Sequence, residues 1–340
     1  MGADIAVSLG TTNTRIYMDG VGIVLEEHSV VAVDLSTDSV ITVGNKAYEM
    51  LGKTPGKMAV IYPLERGVIS DFALVESMLG SFLKKISLSK IVMPRAVVCV
   101  PGEITEVEKR AVVNAVSAVG IRKVCLIEKV TAAAIGAGLD SESPVGHMVV
   151  NVGGGTTDIG IVSLNGLAVS NSIKMAGNEF DDNIIKYVKK KYGLIIGRKT
   201  AENTKIQIGC VEKREEELWF RIKGRDLLTG LPKAIEISSS EVMEAIVDTA
   251  KVIADAVLKL LENSPPELSG DVYSEGIVFT GGSARLYGFS KFIEKRVGLK
   301  VTVPDEPQNC VVIGSGIATK YISQLDKETE KAVNPLTAQY

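Results

Sequence analysis

Apolar residues recur along this chain in short runs separated by glycine-rich turns. Met148-Val149-Val150 enters Asn151-Val152-Gly153-Gly154-Gly155-Thr156-Thr157 and leaves through Asp158-Ile159-Gly160-Ile161-Val162 to a turn at Asn165-Gly166. The pattern predicts a strand, a tight glycine turn, a second strand and a hairpin turn. Ile5-Ala6-Val7-Ser8-Leu9-Gly10-Thr11-Thr12-Asn13-Thr14-Arg15-Ile16 repeats it, with its own turn at Asp19-Gly20. Residues 8–12 lie over 151–156. Two such hairpins far apart in sequence predict a duplicated fold of two like domains. Glycines let backbone N–H groups approach an anion, and the threonine hydroxyls add donors. One hairpin alone reads equally well as a turn with no ligand. Two of them predict facing loops that grip one polyphosphate.

Helical spacing appears elsewhere. Phe72, Val75, Leu79, Phe82, Leu83 and Ile86 predict a helix over 72–86. A buried-strand run follows at 96–101. Thr105-Glu106-Val107-Glu108 is a capping box for a helix that runs to 119 and stops at Gly120. A strand at 124–127 leads to Thr131-Ala132-Ala133-Ala134-Ile135-Gly136-Ala137-Gly138-Leu139, a small-residue helix that a second backbone could approach closely, in a domain crevice or in plain core. In the second half a helix is predicted at 180–191, with Lys189-Lys190-Lys191 as a solvated face. A mixed, charged segment at 193–237 holds Trp219, the one tryptophan of the chain. Ser238-Ser239-Ser240-Glu241 caps a long helix bearing Ile246, Ala250, Ile253, Val257 and Leu260 on one face, ended by Pro265-Pro266. A strand at 276–280 runs into Gly281-Gly282-Ser283, a third candidate nucleotide loop. These elements predict domain I over 1–140, with an inserted subdomain at about 31–66. Domain II is predicted over 141–325, with an inserted subdomain at about 180–240. Residues 326–340 read as a loose polar tail.

Composition narrows the function classes. At 340 residues the chain exceeds what one core usually serves. A net charge of −3 argues against a nucleic-acid partner. Cys99, Cys125, Cys210 and Cys310 are scattered, which fits reduced thiols in a cytoplasmic protein. His28 and His147 stand too far apart in sequence for a multi-histidine metal site. The N-terminus shows no signal-peptide pattern, and no apolar run is long enough to span a bilayer.

The two phosphate hairpins, the strand ending in Thr280-Gly281-Gly282 and the small-residue helix resemble the actin-like ATPase superfamily. Within it the chain resembles the MreB family of bacterial actins along nearly its whole length. Gly22-Ile23-Val24-Leu25, Leu51-Gly52-Lys53-Thr54-Pro55-Gly56, Gly67-Val68-Ile69-Ser70-Asp71-Phe72, Thr200-Ala201-Glu202 and Ser264-Pro265-Pro266-Glu267-Leu268 carry the likeness. The resemblance implies an α/β, duplicated actin-like (ribonuclease H-like) fold, with two domains and their inserted subdomains around a nucleotide cleft. It implies ATP at Gly10, Thr11, Thr12 and Asn13 and at Gly153, Gly154, Gly155, Thr156 and Thr157. Glu202, Asn203, Thr204 and Lys205 would lie on the ribose and adenine side, and Gly281, Gly282, Ser283 and Ala284 behind the nucleotide. Mg²⁺ would be held through water and phosphate, with no direct protein ligand. Self-association into filaments serving cell shape or motility, paralogues of the same family and the inner membrane surface are the implied partners. The membrane-inserting loop of the family falls on Ile91, Val92 and Met93, flanked by Lys84, Lys85, Lys90 and Arg95. Those three apolar residues would otherwise tuck under the sheet.

Three acidic positions of the family pattern are replaced, with milder departures at Val130, where it has proline, and at Ser283. Ser8 and Asn151 stand where it has aspartates, and Lys129 stands where it has the glutamate that orients the attacking water. Carboxylates hold the water shell of Mg²⁺ and polarise that water. A protonated lysine cannot accept its proton, and losing a positioned base costs about 10²–10⁴-fold in rate. The sequence therefore predicts ATP binding with weak or absent hydrolysis. One alternative keeps an active ATPase, with Glu128, Asp158 or a rearranged water taking over, and with Lys129 turned out to solvent where Glu128 substitutes. Another is a small-molecule kinase of the same fold, which the loss of acids at 8 and 151 opposes. A chaperone is opposed by the lack of a substrate domain after the ATPase region.

Overall fold

The computed structural model describes residues 4–86 and 94–333. The first half runs β1 (Ile5–Leu9), β2 (Asn13–Met18), β3 (Gly22–His28), β4 (Val31–Asp34), β5 (Ser39–Val43), α1 (Asn45–Glu49), β6 (Met58–Ile61), β7 (Leu64–Glu65) and β8 (Val68–Ile69). It continues with α2 (Phe72–Lys85), β9 (Arg95–Val100), α3 (Glu106–Ala118), β10 (Lys123–Glu128) and α4 (Lys129–Gly136). The second half runs β11 (His147–Val152), β12 (Thr157–Ser163), β13 (Gly166–Ile173), α5 (Gly177–Tyr192), β14 (Leu194–Ile195), α6 (Arg198–Ile208), β15 (Trp219–Asp226) and β16 (Pro232–Ser238). Then come α7 (Ser239–Glu262), α8 (Pro266–Glu275), β17 (Ile277–Thr280), α9 (Phe289–Val297), β18 (Val301–Thr302), α10 (Cys310–Ile317) and α11 (Ile322–Val333).

The duplication is visible in the sheets. One has the order β10-β9-β1-β2-β3 and the other β18-β17-β11-β12-β13. In each, the entering strand of the glycine hairpin lies antiparallel to its hairpin partner and parallel to a later strand. Each half also carries a three-stranded sheet between corresponding elements: β5-β4-β6 in the first and β14-β15-β16 in the second. Both capping boxes form, at Thr105/Glu108 and Ser238/Glu241, so each helix start has its orphan N–H groups satisfied. Pro266 does end the long helical run, and it also opens α8 as its first residue.

Each half has its own apolar core, and a third cluster joins them. This joint is built on α4 and α10. The predicted small-residue helix packs here, beginning at Lys129 and ending at Gly136. A Cβ on Gly136 would lie 2.7 Å from the Cys310 carbonyl carbon and 2.8 Å from Gly314 N. A Cβ on Gly314 would lie 2.7 Å from both Ala132 C and Gly136 N. The two backbones touch at reciprocal glycines. The joint also contains Cys99, Cys125 and Cys310, all buried and none in a disulfide among the described residues.

Two expectations differ from the structure. Phe72 keeps the helical spacing of α2 but is 41% exposed, because it sits in the first turn, before the helix meets its sheet. The stretch from Asp326, read as loose, continues α11 to Val333. It is tied down there: Leu126 N donates to Thr329 Oγ1 at 2.8 Å, and Lys123 pairs with Asp326. Polar side chains that anchor a helix to a strand edge leave no apolar period to read.

Candidate functional site

The two glycine hairpins face each other across a cavity of about 600 Å³, in the range of small-ligand sites. Their turns are closed by the same bond, Gly10 N to Asn13 O at 3.1 Å and Gly153 N to Thr156 O at 3.0 Å. The loops touch directly. A Cβ on Gly154 would lie 2.9 Å from Thr12 Cβ, and one on Gly155 would lie 2.9 Å from Thr11 Cβ. The missing side chains thus let the loops approach each other, as well as leaving N–H groups open to an anion. Gly281, at φ 90°, supplies the third wall, where a Cβ would fall 2.6 Å from the Val152 carbonyl carbon. The start of α5 closes onto the second loop, with Gly177 N donating to Gly153 O at 3.0 Å and Asn178 N to Gly154 O at 2.8 Å.

Gly10, Thr11, Thr12, Asn13, Gly153, Gly154, Gly155, Thr156, Glu202, Lys205, Gly281, Gly282 and Ser283 all line this cavity, as do Ser8, Lys129 and Asn151. Thr157, Thr204 and Ala284 are buried away from it. Thr157 donates to Met175 O at 2.6 Å and Thr204 to Thr200 O at 2.7 Å. Asn203 is exposed on α6. The cavity also draws in Arg15, Glu26, Asn178, Arg214, Tyr287 and Gln308. Arg15 and Glu26 are cross-strand partners 2.5 Å apart, a pairing that strand alternation from the hairpin could have revealed. Arg214, whose guanidinium lies 4.1 Å from the Tyr287 ring centroid, had no local signal. Ile91, Val92 and Met93 lie outside the described residues. Of the basic residues flanking them, Lys85 pairs with Glu27 at 2.5 Å, and Arg95 Nε donates to Asp4 Oδ1 at 2.9 Å.

Lys129 points into the cleft. It is 7% exposed, and its Nζ donates to Thr156 Oγ1 at 3.3 Å and lies 3.8 Å from Asp158 Oδ2. The outward-turned alternative is therefore excluded. Asp158 is committed as well: Thr156 Oγ1 donates to Oδ2 at 2.9 Å and Ser172 Oγ to Oδ1 at 2.6 Å. Asn151 Oδ1 accepts from Thr280 Oγ1 at 3.3 Å. Beside Ser8, burial pushes the Cys99 thiol up, so it stays protonated. On the opposite side Lys205 Nζ meets Asp181 Oδ1 at 2.8 Å and donates to Gly177 O at 2.9 Å. Burial raises the Asp181 carboxyl to about 6 against the pull of Lys205.

The inserted segments of the two halves meet through side chains around α1 and α6. Tyr48 of α1 donates to Glu202 of α6, stacks on His28 with ring centroids 3.7 Å apart, and lies under Lys199 Nζ at 4.8 Å. The Arg198 guanidinium sits 5.3 Å from the Tyr62 ring. Burial, reinforced by Glu202, holds the Tyr48 phenol well above its usual range, and burial lowers His28.

A divalent cation held through water needs carboxylates beside the polyphosphate. The acids lining the cavity are Glu26, tied to Arg15, and Glu202, tied to Tyr48. Positions 8, 129 and 151 offer a hydroxyl, an ammonium and an amide. This donor set does not fit a carboxylate-held metal. Among the described residues, no group of three or more His, Cys, Asp or Glu side chains could hold one directly.

A family model described as MreB/Mbl protein matches residues 2–327. The cell shape-determining protein Mbl of Bacillus cereus is 43% identical over 327 residues, covering 95% of this chain and 98% of that protein. The cell shape-determining protein MreB of Escherichia coli K12 is 42% identical over 325 residues, 94% of each. The crystal structure of MreB 5 of Spiroplasma citri bound to AMPPNP superposes with a TM-score of 0.91 at 37% identity, covering 96% of this chain and 98% of that one. Two like sheets with matching insertions, joined at a loop-lined cleft, are the actin-like architecture, and the chain belongs to the MreB/Mbl family.

Proposed function

We propose that this chain is an ATP-binding, filament-forming cytoskeletal protein of the cytoplasm, serving cell shape or motility, that hydrolyses ATP weakly or not at all. The observation that carries the reading is the Lys129 ammonium inside the cleft, 3.3 Å from the loop hydroxyl of Thr156. Backbone N–H groups of two facing loops can bind phosphates. No lining carboxylate stands ready to take a proton from an attacking water. Asp158, the alternative base, already accepts from two hydroxyls and faces an ammonium. Mg²⁺ enters this reading only as the ion that ATP carries in solution. The AMPPNP-bound relative supports a nucleotide in the corresponding cleft. Family membership supports self-association, alone or with paralogues, and work at the inner membrane face. Ile91, Val92 and Met93 are the proposed membrane contact.

The test is phosphate release measured alongside sedimentation on one preparation. ATP should raise the melting temperature, since a ligand of the native state stabilises it. Filaments should form with ATP or a non-hydrolysable analogue about equally, and phosphate release should stay near background. Restoring Ser8→Asp, Lys129→Glu and Asn151→Asp together should raise turnover, while single changes do little, because residues acting as a unit are non-additive. Turnover at ordinary actin-family rates would refute the weak-hydrolysis reading. No thermal shift with ATP would refute the binding reading. Anionic liposomes should pellet the wild type, and Ile91→Ser with Met93→Ser should abolish it.

A further inference from the structure

Five basic side chains, Arg15, Lys129, Lys205, Arg214 and Arg285, line the cleft against two acidic ones, Glu26 and Glu202. Arg15 and Lys205 have acidic partners at 2.5 Å and 2.8 Å. Lys129 is different. An ammonium has three N–H donors. Its one hydrogen-bond acceptor among the described residues is Thr156 Oγ1, while Asp158 Oδ2 at 3.8 Å lies beyond hydrogen-bond reach. N–H groups of Lys129 therefore remain for an anion in the cleft. Asn151 points the same way. It lines the cavity with a neutral amide, whose Oδ1 accepts from Thr280 Oγ1 at 3.3 Å. An ammonium and a neutral amide stand where a metal's water shell would need carboxylates.

In an acid-lined site, carboxylates and polyphosphate repel each other, and a divalent cation must lie between them. Here positions 8, 129 and 151 bring no carboxylate to repel the polyphosphate, and a fixed positive charge is already present. We infer that Lys129 takes the electrostatic place of the divalent cation, so that this cleft binds the polyphosphate of ATP independently of any divalent metal. The inference rests on the ATP-binding reading above. It concerns binding alone and involves no bond making or breaking.

The experiment is calorimetric titration of the full chain with ATP, once in magnesium chloride and once in EDTA. The two dissociation constants should agree within about fivefold, less than the tenfold that 1.4 kcal/mol represents. Lys129→Met should weaken binding by about tenfold or more in both buffers, with circular dichroism showing the chain folded. Lys129→Glu should bind poorly in both buffers, because positions 8 and 151 still lack the acids that would hold a metal's water shell. A wild-type affinity that falls more than about fivefold in EDTA but holds in magnesium overturns the inference and leaves ATP binding standing. Lys129→Met binding as tightly as wild type in EDTA overturns it as well. No binding in either buffer refutes ATP binding itself.

Discussion

Replacing Gly136 with alanine adds one methyl group where α4 crosses α10. That methyl would fall against the Cys310 carbonyl oxygen, 2.7 Å from its carbon and 2.8 Å from Gly314 N. Carbon contacts are comfortable at about 3.5–4.0 Å, so the helices must part by roughly 0.7 Å or more. All three obstructing atoms are backbone and cannot swing aside. α10 has little room to retreat, because Gly316 on it is packed against the Tyr17 ring, where a Cβ would lie 2.6 Å from Cγ. Overpacking of this kind costs about 1–3 kcal/mol and sometimes more. Helix propensity returns at most about 1 kcal/mol, and less at the last residue of a helix. A net loss of about 2 kcal/mol is the expected outcome. Urea unfolding followed by circular dichroism reads it: with a slope of about 3 kcal/mol/M, the midpoint drops by about 0.7 M. Gly270→Ala in α8 is the control. Nothing lies within 4 Å of its built Cβ, so the same change should stabilise by about 0.5–1 kcal/mol. A Gly136→Ala midpoint at or above wild type would refute the claim that the two halves are joined by backbone contact here.

Tyr48→Phe removes the phenol that donates to Glu202 of the other half, and should speed ATP release in a stopped-flow chase while leaving the melting curve within about 1 kcal/mol. Asp181, raised to about 6 by burial, carries stability that is full below its unfolded value near 3.8 and is lost as pH rises through about 6. The stability of wild type relative to Asp181→Asn should therefore fall between pH 4 and pH 7, by up to about 3 kcal/mol at 1.4 kcal/mol per pH unit. Ser238→Ala removes the cap of α7 and should cost about 0.5–2 kcal/mol in urea unfolding, partly offset where Glu217 already serves Ser240 N.

Much of this molecule could be read from local pattern. The paired hairpins, both capping boxes and the strand into Gly281-Gly282 each depend on contiguous residues, and they fold as their patterns say. The departures Ser8, Lys129 and Asn151 could likewise be read against the family motif. What could not be read depends on distant segments. The small residues of α4 announce a close approach but not its partner, since α10 lies 174 or more positions away and its Gly314 and Gly316 carry no period of their own. Arg214 and Tyr287 meet where Cys210 forms an isolated β-bridge with Tyr287, 77 positions away. Whether Lys129 turned inward depended on Thr156, 27 residues on, rather than on its neighbours in α4.

The position of Lys129 also bears on how such a chain can change over generations. Lys129→Glu alone would set a new carboxylate close to Asp158, where an ammonium now stands 3.8 Å from Oδ2. Ser8→Asp or Asn151→Asp alone would add an acid to the cleft that this ammonium lines and offset the charge inferred to hold phosphate. Each single step back toward the acidic pattern thus lowers nucleotide affinity, and only the three together, with a metal, recover it. Selection for ATP binding would then act as a ratchet against regaining the acids, and under the proposed weak hydrolysis the filaments of such a lineage would need other means to come apart.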